Sequence, residues 1–174
     1  RVGRSLGDVE RGAVADAGSD PHGVAVGLPV DDSVAGLIAH GIDYCMVAVP
    51  TIHHEEIGLA LAEAGVHAMI ETPLAQDRVA SGRLVEAFEK AGLVGAVGHI
   101  ERYNPALQNL RARLEQRDLG SVYQVVTRRQ GPFPARIADV GVVKDLATHD
   151  IDLTAWVTQQ NFASVSARTA YKSG

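Results

Sequence analysis

Side chains that can do chemistry recur along the segment VVKDLATHDIDLTAW, residues 142–156. Asp145, His149, Asp152 and Trp156 are spaced so that they share one face of a helix. An imidazole titrates near neutral pH and can take a hydroxyl proton, while a carboxylate one turn earlier can orient it or bind a substrate hydroxyl. The spacing alone favours a simpler interpretation, in which Asp145 and His149 form a surface pair on a solvated helix.

Metal and thiol chemistry are not indicated. Asp145, His149 and Asp152 offer no fixed fourth ligand in the sequence, so no metal site is predicted. The single cysteine, Cys45, cannot form an internal disulfide, and its place in DYCMVAV is typical of a strand core.

The first part of the chain must supply a scaffold for this chemistry. Short apolar runs alternate with helical patterns there, which predicts β-α-β units and a Rossmann-type parallel sheet. We therefore expect an incomplete dinucleotide-binding domain over residues 1–98. It lacks a first strand and a G-x-G-x-x-G phosphate loop, as if the sequence began in the helix that normally follows that loop. Strands are predicted at 9–15, 43–49, 66–73 and 93–99, and helices at 53–65 and 78–92.

The remaining residues, 99–174, show a different pattern. A helix at 104–116 is followed by a strand at 121–129, a proline-rich loop, the helix described above and a last strand at 162–171. This order predicts part of an α+β open-sheet domain, with too few strands to complete the sheet.

Ligands of parallel sheets bind beyond the carboxyl ends of the strands. Asp16 ends a predicted strand, where its carboxylate can accept hydrogen bonds from ribose hydroxyls and would repel a 2′-phosphate, which favours NAD over NADP. An Asp that opens a turn is equally common. Tyr103 and Asn104, in the HIERYNP segment after another strand, are candidates for substrate binding.

Composition and charge argue against several classes of protein. The net charge is −5, divided into −8 through Gly98 and +3 from His99 onward, and no stripe of basic and aromatic residues indicates nucleic acid. Arg128, Arg129 and Arg136 in the more basic half are candidates for an anionic ligand. No run of about eighteen apolar residues and no secretory signal is visible, so we expect a cytoplasmic protein without a membrane span.

The segments VAVPTIHHEE, VHAMIETPLAQD, VGHIERYNPALQNL, GPFPARIADVG and DLATHDIDL resemble, in this order, the glucose-fructose oxidoreductase, inositol dehydrogenase and rhizopine-catabolism (Gfo/Idh/MocA) family. The last two look most like members that are UDP-N-acetylglucosamine 3-dehydrogenases. The resemblance implies an NAD(P)-dependent oxidoreductase acting on a sugar or nucleotide sugar, and a homo-oligomer, either a dimer or a tetramer. It also implies that the domain 99–174 binds the substrate and makes the oligomer contacts. It makes His149 the base and Asp145 its partner, and it extends the substrate-binding candidates to Asp152.

The resemblance also assigns cofactor positions and shows one departure. The residues that match positions lining the cofactor cleft are Pro50, Thr51, His54, Glu71 and Pro73. The family signature Glu-Lys-Pro stands here as Glu71-Thr72-Pro73, so an expected catalytic lysine is a threonine with a hydroxyl and no charge.

Three interpretations of Thr72 remain open: slower chemistry by His149 alone, a replacement cation, or a non-catalytic regulatory relative that binds a dinucleotide or sugar. Lys144 is a nearby cation in the sequence. At a regular helix start it would lie about 100° around the axis from Asp145, so it would need a distorted helix start to reach the site.

Overall fold

The computed structural model describes residues 31–130 and 141–170. Two compact units divide them: residues 31–98 with 141–145, and residues 99–130 with 146–170. The expected division into domains 1–98 and 99–174 stays a prediction, since the segment 141–145 groups with the first unit. Among the described residues, no helix is long and apolar enough to cross a bilayer.

The first unit alternates helices and strands, as the sequence predicts. Its elements are α1 (Val34–Ala39), β1 (Tyr44–Val47), α2 (His54–Glu63), β2 (His67–Ile70), α3 (Arg78–Ala91) and β3 (Gly95–Val97). α1 is absent from the prediction, and it begins where the Ser33 hydroxyl accepts a hydrogen bond from the Gly36 amide. The predicted strand at 9–15 and the candidate Asp16 lie outside the described residues.

The three strands form one parallel sheet in the order β1-β2-β3. Val47 pairs with Ile70, and Ile70 pairs with Val97, so the strands end level with one another. The segments that follow these three residues therefore share one edge of the sheet. The Rossmann-type class of fold is confirmed for this unit.

Helix α3 shows how local sequence sets the boundaries. The Asp77 carboxylate caps its start by accepting from the Ala80 amide at 2.9 Å, and Gly92 ends it in the left-handed conformation with φ 66°. Ala80, Leu84 and Phe88 recur at four-residue intervals and are the buried face.

Gly58 allows α2 to approach the rest of the core. A Cβ at this position would lie 2.5 Å from Leu84 Cδ2 and 3.0 Å from Ile70 Cδ1, so no side chain fits without a shift. Leu37, Leu61 and Leu84 are the largest fully buried apolar side chains of the described residues.

The second unit is helical in the part that the structure describes. A 3₁₀ turn (Ile100–Tyr103) leads into α4 (Pro105–Glu115). A π-helical turn (Val143–Ala147), whose residues up to Asp145 belong to the first unit, leads into α5 (Thr148–Thr158). Helices α4 and α5 pack together, with the Arg111 guanidinium 4.6 Å from the centre of the Trp156 ring.

The strands predicted at 121–129 and 162–171 are wrong for the residues described. Residues 121–130 and 161–170 contain no strand and are exposed throughout. A strand requires a hydrogen-bonded neighbour, and neither segment has a backbone ladder within the described residues. Their alternating sequence pattern fits a pleated surface but cannot by itself supply the partner.

Candidate active site

The carboxyl edge of the sheet carries the residues predicted to line a cofactor cleft. The Glu71 amide donates to the Val47 carbonyl at 3.0 Å, and the Gly98 amide donates to the Ile70 carbonyl at 2.8 Å. These bonds continue the ladders one residue past the strands. The starts of the three following segments are therefore held in register.

His54 ties two of these segments together. Its side chain is 1% exposed, with Nε2 2.9 Å from the Val49 carbonyl and Nδ1 2.9 Å from the Pro73 carbonyl. Both partners are carbonyl oxygens, which accept hydrogen bonds, so a ring nitrogen that carries a proton donates to the carbonyl it faces. Its assignment to cofactor binding stays a prediction, and its contacts are those of a residue that positions the loops after β1 and β2.

Glu71 and Gly98 approach closely across the edge. A Cβ on Gly98 would lie 2.8 Å from Glu71 Oε2 and 3.2 Å from Glu71 Cα. Glycine is the residue that permits this approach, and it leaves the end of β3 without a side chain. Glu71 Oε2 also lies 3.3 Å from the Thr72 amide nitrogen, which donates to it.

Thr72, Pro73, Thr51 and Pro50 complete this edge. The Thr72–Pro73 peptide bond is cis, and both residues are half-buried. Thr51 is buried at the start of the 3₁₀ turn that leads into α2, while Pro50 before it is exposed. The structure thus brings together every described residue that the resemblance assigned to the cofactor.

Lys144, at an irregular helix start, contacts the loop between β2 and α3. The Lys144 and Asp145 amides both donate to the Gly141 carbonyl, at 2.9 and 3.0 Å, and the residues Val143–Ala147 form a π-helical turn. The Lys144 ammonium donates to the Gln76 carbonyl, four residues after Thr72. The helix start is therefore distorted, which is the condition under which Lys144 was expected to reach the site.

The predicted catalytic pair, Asp145 and His149, lies on either side of the end of the π-helical turn. Asp145 lies in the π-helical turn, and His149 is the second residue of α5. π-Helical turns inserted in helices are frequent at functional sites. The roles of both residues stay predictions.

Asp152, one turn after His149, is fully engaged within the second unit. Arg102 donates through Nε to Asp152 Oδ2 at 2.8 Å and through its second terminal nitrogen to Oδ1. Burial opposes ionisation of Asp152, but the Arg102 hydrogen bond and the charges of His99, Arg102 and His149 outweigh it, so its pKa is lowered. The predicted contact of Asp152 with substrate would have to share these oxygens with Arg102.

His99 stands beside this ion pair. Its Nδ1 is 3.4 Å from Asp152 Oδ2 but is not aligned for a hydrogen bond, and it is buried without a partner among the described residues. Burial lowers the His99 pKa, and the positive charges of Arg102 and His149 lower it further against the opposing effect of Asp152. The neutral ring is therefore favoured.

The other predicted substrate contacts lie apart from this cluster or carry other partners. Arg129 donates to Glu101 at 2.9 Å and to Asp150 at 3.2 Å, and these hydrogen bonds raise its pKa. The Asn104 carboxamide caps α4 by accepting from the Ala106 amide at 3.0 Å. Tyr103 is 77% exposed, Arg128 is exposed, and Arg136 lies outside the described residues.

Sequence reasoning missed His99 and Gly98 as members of these clusters. The signal was present in VGHIERYNP, because both residues stand at the carboxyl end of the strand predicted at 93–99. The paired role of Arg102 had no such signal, since Asp152 lies fifty residues away in the sequence.

A three-stranded parallel sheet covered by helices, with its ligand candidates on the carboxyl edge, defines a nucleotide-binding α/β protein. Residues 13–99 match the model of the oxidoreductase family with an NAD-binding Rossmann fold, and residues 107–174 match the GFO/IDH/MocA C-terminal domain. The chain belongs to the Gfo/Idh/MocA oxidoreductase family. The resemblance is thus confirmed, and the family description agrees with the expectation of NAD as cofactor.

Named relatives include two dehydrogenases with different substrates. UDP-N-acetylglucosamine 3-dehydrogenase of Acidithiobacillus ferrooxidans is 36% identical over 126 residues, which are 72% of this chain and 39% of the relative. Myo-inositol dehydrogenase Hyg17 of Streptomyces leeuwenhoekii is 35% identical over 139 residues, 78% of this chain and 43% of the relative.

A solved structure of the Acidithiobacillus ferrooxidans UDP-N-acetylglucosamine 3-dehydrogenase superposes with a TM-score of 0.71 at 31% identity. The superposition covers 84% of this chain and 48% of the solved chain. The chain spans about half the length, or less, of the curated relatives that it matches.

Proposed function

We propose that the full-length protein is an NAD-dependent oxidoreductase that oxidises a hydroxyl of a sugar or nucleotide sugar by hydride transfer. The observation that carries this proposal is the pair Asp145 and His149, kept at the family spacing in a chain of this oxidoreductase family. A module that only binds has no need of a base at this position.

The sheet edge fits a dinucleotide. Three parallel strands end level there, and ligands of parallel sheets bind beyond the carboxyl ends of the strands. Thr51, Glu71 and Pro73 would hold the cofactor, and Asp16 would accept from its ribose hydroxyls. When bound, NAD supplies the acceptor for a hydride from the carbinol carbon.

His149 takes the hydroxyl proton, and Asp145 orients the imidazole or binds a neighbouring hydroxyl. The product is a ketone, and the proton remains on His149 until it passes to water. Arg102 and Asp152 stabilise the second unit beside His149 as a charge-assisted pair. Homo-oligomer formation and a cytoplasmic location remain predictions.

The relatives favour two substrate groups, UDP-N-acetylglucosamine and inositols. Arg128, Arg129 and Arg136 are the candidates for a diphosphate, but Arg129 is already shared by Glu101 and Asp150. We place the nucleotide sugar first because a structure and a sequence of the same relative both support it.

A second candidate function is a non-catalytic regulatory relative that binds the dinucleotide or a sugar. Thr72 favours it, because the family lysine and its charge are missing from that position. The two functions differ in whether sugar addition reduces NAD.

The deciding assay follows NADH absorbance for the full-length protein with UDP-N-acetylglucosamine, other UDP-sugars and inositols. We expect reduction of NAD with at least one of them. The rate should fall at least about 100-fold in His149→Ala and stay near that of the wild type in the control His53→Ala, which removes an exposed histidine. NAD binding by calorimetry without turnover on any substrate would support the regulatory function instead. Activity that survives His149→Ala would remove His149 as the base.

A further inference from the structure

The chemistry proposed above requires positive charge near the reacting oxygen. Negative charge develops on that oxygen as its proton leaves for His149, and a preorganised cation stabilises it most in a site from which water is excluded. Thr72 supplies no charge, and Glu71 beside it is acidic. The sheet edge therefore lacks its expected cation at the position where the family carries one.

The described part of the first unit has four Lys and Arg residues from which a cation could come. Arg83 is paired with Glu55, and Lys90 lies in the last turn of α3, the end away from Thr72. Arg78 is exposed at the first position of α3. Lys144 alone among these four comes from the segment that also carries Asp145.

The backbone directs Lys144 toward the loop that carries Thr72. Its amide and that of Asp145 share the Gly141 carbonyl, and the following turn is π-helical. This irregular start changes the rotation between successive side chains relative to an α-helix. The ammonium reaches the Gln76 carbonyl in the loop between β2 and α3.

Electrostatics at the loop agree with this placement. The pKa of Asp77 is lowered first by the hydrogen bond from the Ala80 amide, and the charges of Arg83 and Lys144 contribute to the same direction. The ammonium thus lies within electrostatic range of the turn that follows Thr72 and Pro73. Its four-carbon stem is flexible enough to exchange the Gln76 carbonyl for another acceptor nearby.

We propose that Lys144 supplies, from the irregular helix start, the positive charge that Thr72 lacks at the sheet edge. This inference rests on the proposed function. The cation has moved in the sequence from the loop after β2 to the residue before Asp145, and it serves the same developing charge. Lys144 is neither consumed nor deprotonated, since the hydroxyl proton goes to His149.

The test compares four full-length variants: Lys144→Met, Arg78→Met, Thr72→Lys and the double variant Thr72→Lys with Lys144→Met. Arg78→Met is the matched control, because it removes one exposed cation from the same end of the sheet. We expect Lys144→Met to lower kcat roughly 10- to 100-fold and Arg78→Met less than about twofold. In the double variant, Thr72→Lys should restore most of the lost rate.

A second readout needs no sugar and no turnover. A cation beside the nicotinamide disfavours its positively charged oxidised form, so Lys144→Met should raise the affinity for NAD⁺ relative to NADH by roughly three- to tenfold. The double variant should reverse this shift, and Arg78→Met should not cause it. Both affinities are measured by calorimetry at fixed salt.

The outcomes separate the two proposals. An unchanged affinity ratio in Lys144→Met overturns the assignment of Lys144, whatever the activity. A loss of rate that Thr72→Lys fails to restore, with a lower unfolding midpoint, makes Lys144 an anchor for the loop and also overturns it. A shifted ratio in a protein that turns over no substrate supports the placement of Lys144 while the oxidoreductase function fails.

Discussion

Replacing His54 by alanine tests whether one side chain holds two loops of the sheet edge together. The ring is 1% exposed and makes two contacts of 2.9 Å, to the carbonyls of Val49 and Pro73. Each lost hydrogen bond is worth about 0.5–1.5 kcal/mol, and a buried carbonyl left without a donor costs about 1–3 kcal/mol. The loss of the donor to one buried carbonyl predicts a decrease of about 2 kcal/mol in the free energy of unfolding.

The assay is urea denaturation of the full-length protein followed by circular dichroism, together with calorimetry of NAD binding. His53→Ala is the matched control, because His53 is exposed and directly precedes His54. We expect this control to change stability by less than about 0.5 kcal/mol. His54→Ala should also weaken NAD binding, since Pro50, Thr51 and Pro73 would lose their common support. Equal stabilities of the two variants would refute the assignment of His54 as a structural link.

Two further predictions concern the edge of β3 and the ion pair of the second unit. Gly98→Ala should destabilise the protein by about 1–2 kcal/mol and weaken NAD binding, because its Cβ would lie 2.8 Å from Glu71 Oε2. The control Gly82→Ala, with open space around it in helix α3, should stabilise the protein by about 0.5–1 kcal/mol. Gly98→Ala with wild-type stability in the same urea titration would show that Glu71 moves freely. The folded-state pKa of Asp152 lies below its ordinary value of 3.8, so its contribution to stability is complete above that pH and is lost as the pH falls below it. Urea midpoints between about pH 2 and 5 should therefore fall more steeply in acid for the wild type than for Asp152→Asn, and parallel curves would contradict the lowered pKa.

Helices α2 and α3 and the three strands of the first unit could be predicted because their signals are local, whereas α1 was missed. Asp77 before an apolar four-residue repeat marks the start of α3, and Gly92 marks its end. The apolar run after Asp43 and the turn after Ile70 likewise bound β1 and β2. The level ending of the strands then follows from parallel pairing, so the residues of the sheet edge could be listed before the structure was known.

The contacts within the site could not be predicted in the same way. His54 reaches Pro73, nineteen residues later, and Arg102 reaches Asp152, fifty residues later, so neither pairing leaves a periodic signal. The π-helical geometry of Val143–Ala147 likewise has no periodic signal in the local sequence. The predicted strand at 121–129 failed for a related reason, because a ladder requires a neighbour that local sequence cannot supply.

Gly58 couples the side-chain volumes of three elements. The space that a Cβ would need is already filled by Leu84 of α3 and Ile70 of β2. A larger residue at position 58 is therefore tolerated only if position 84 or 70 becomes smaller at the same time. The three positions should accordingly covary in diverged relatives, and a combinatorial library that randomises position 58 alone should return glycine, whereas one that also randomises 84 should return compensated pairs.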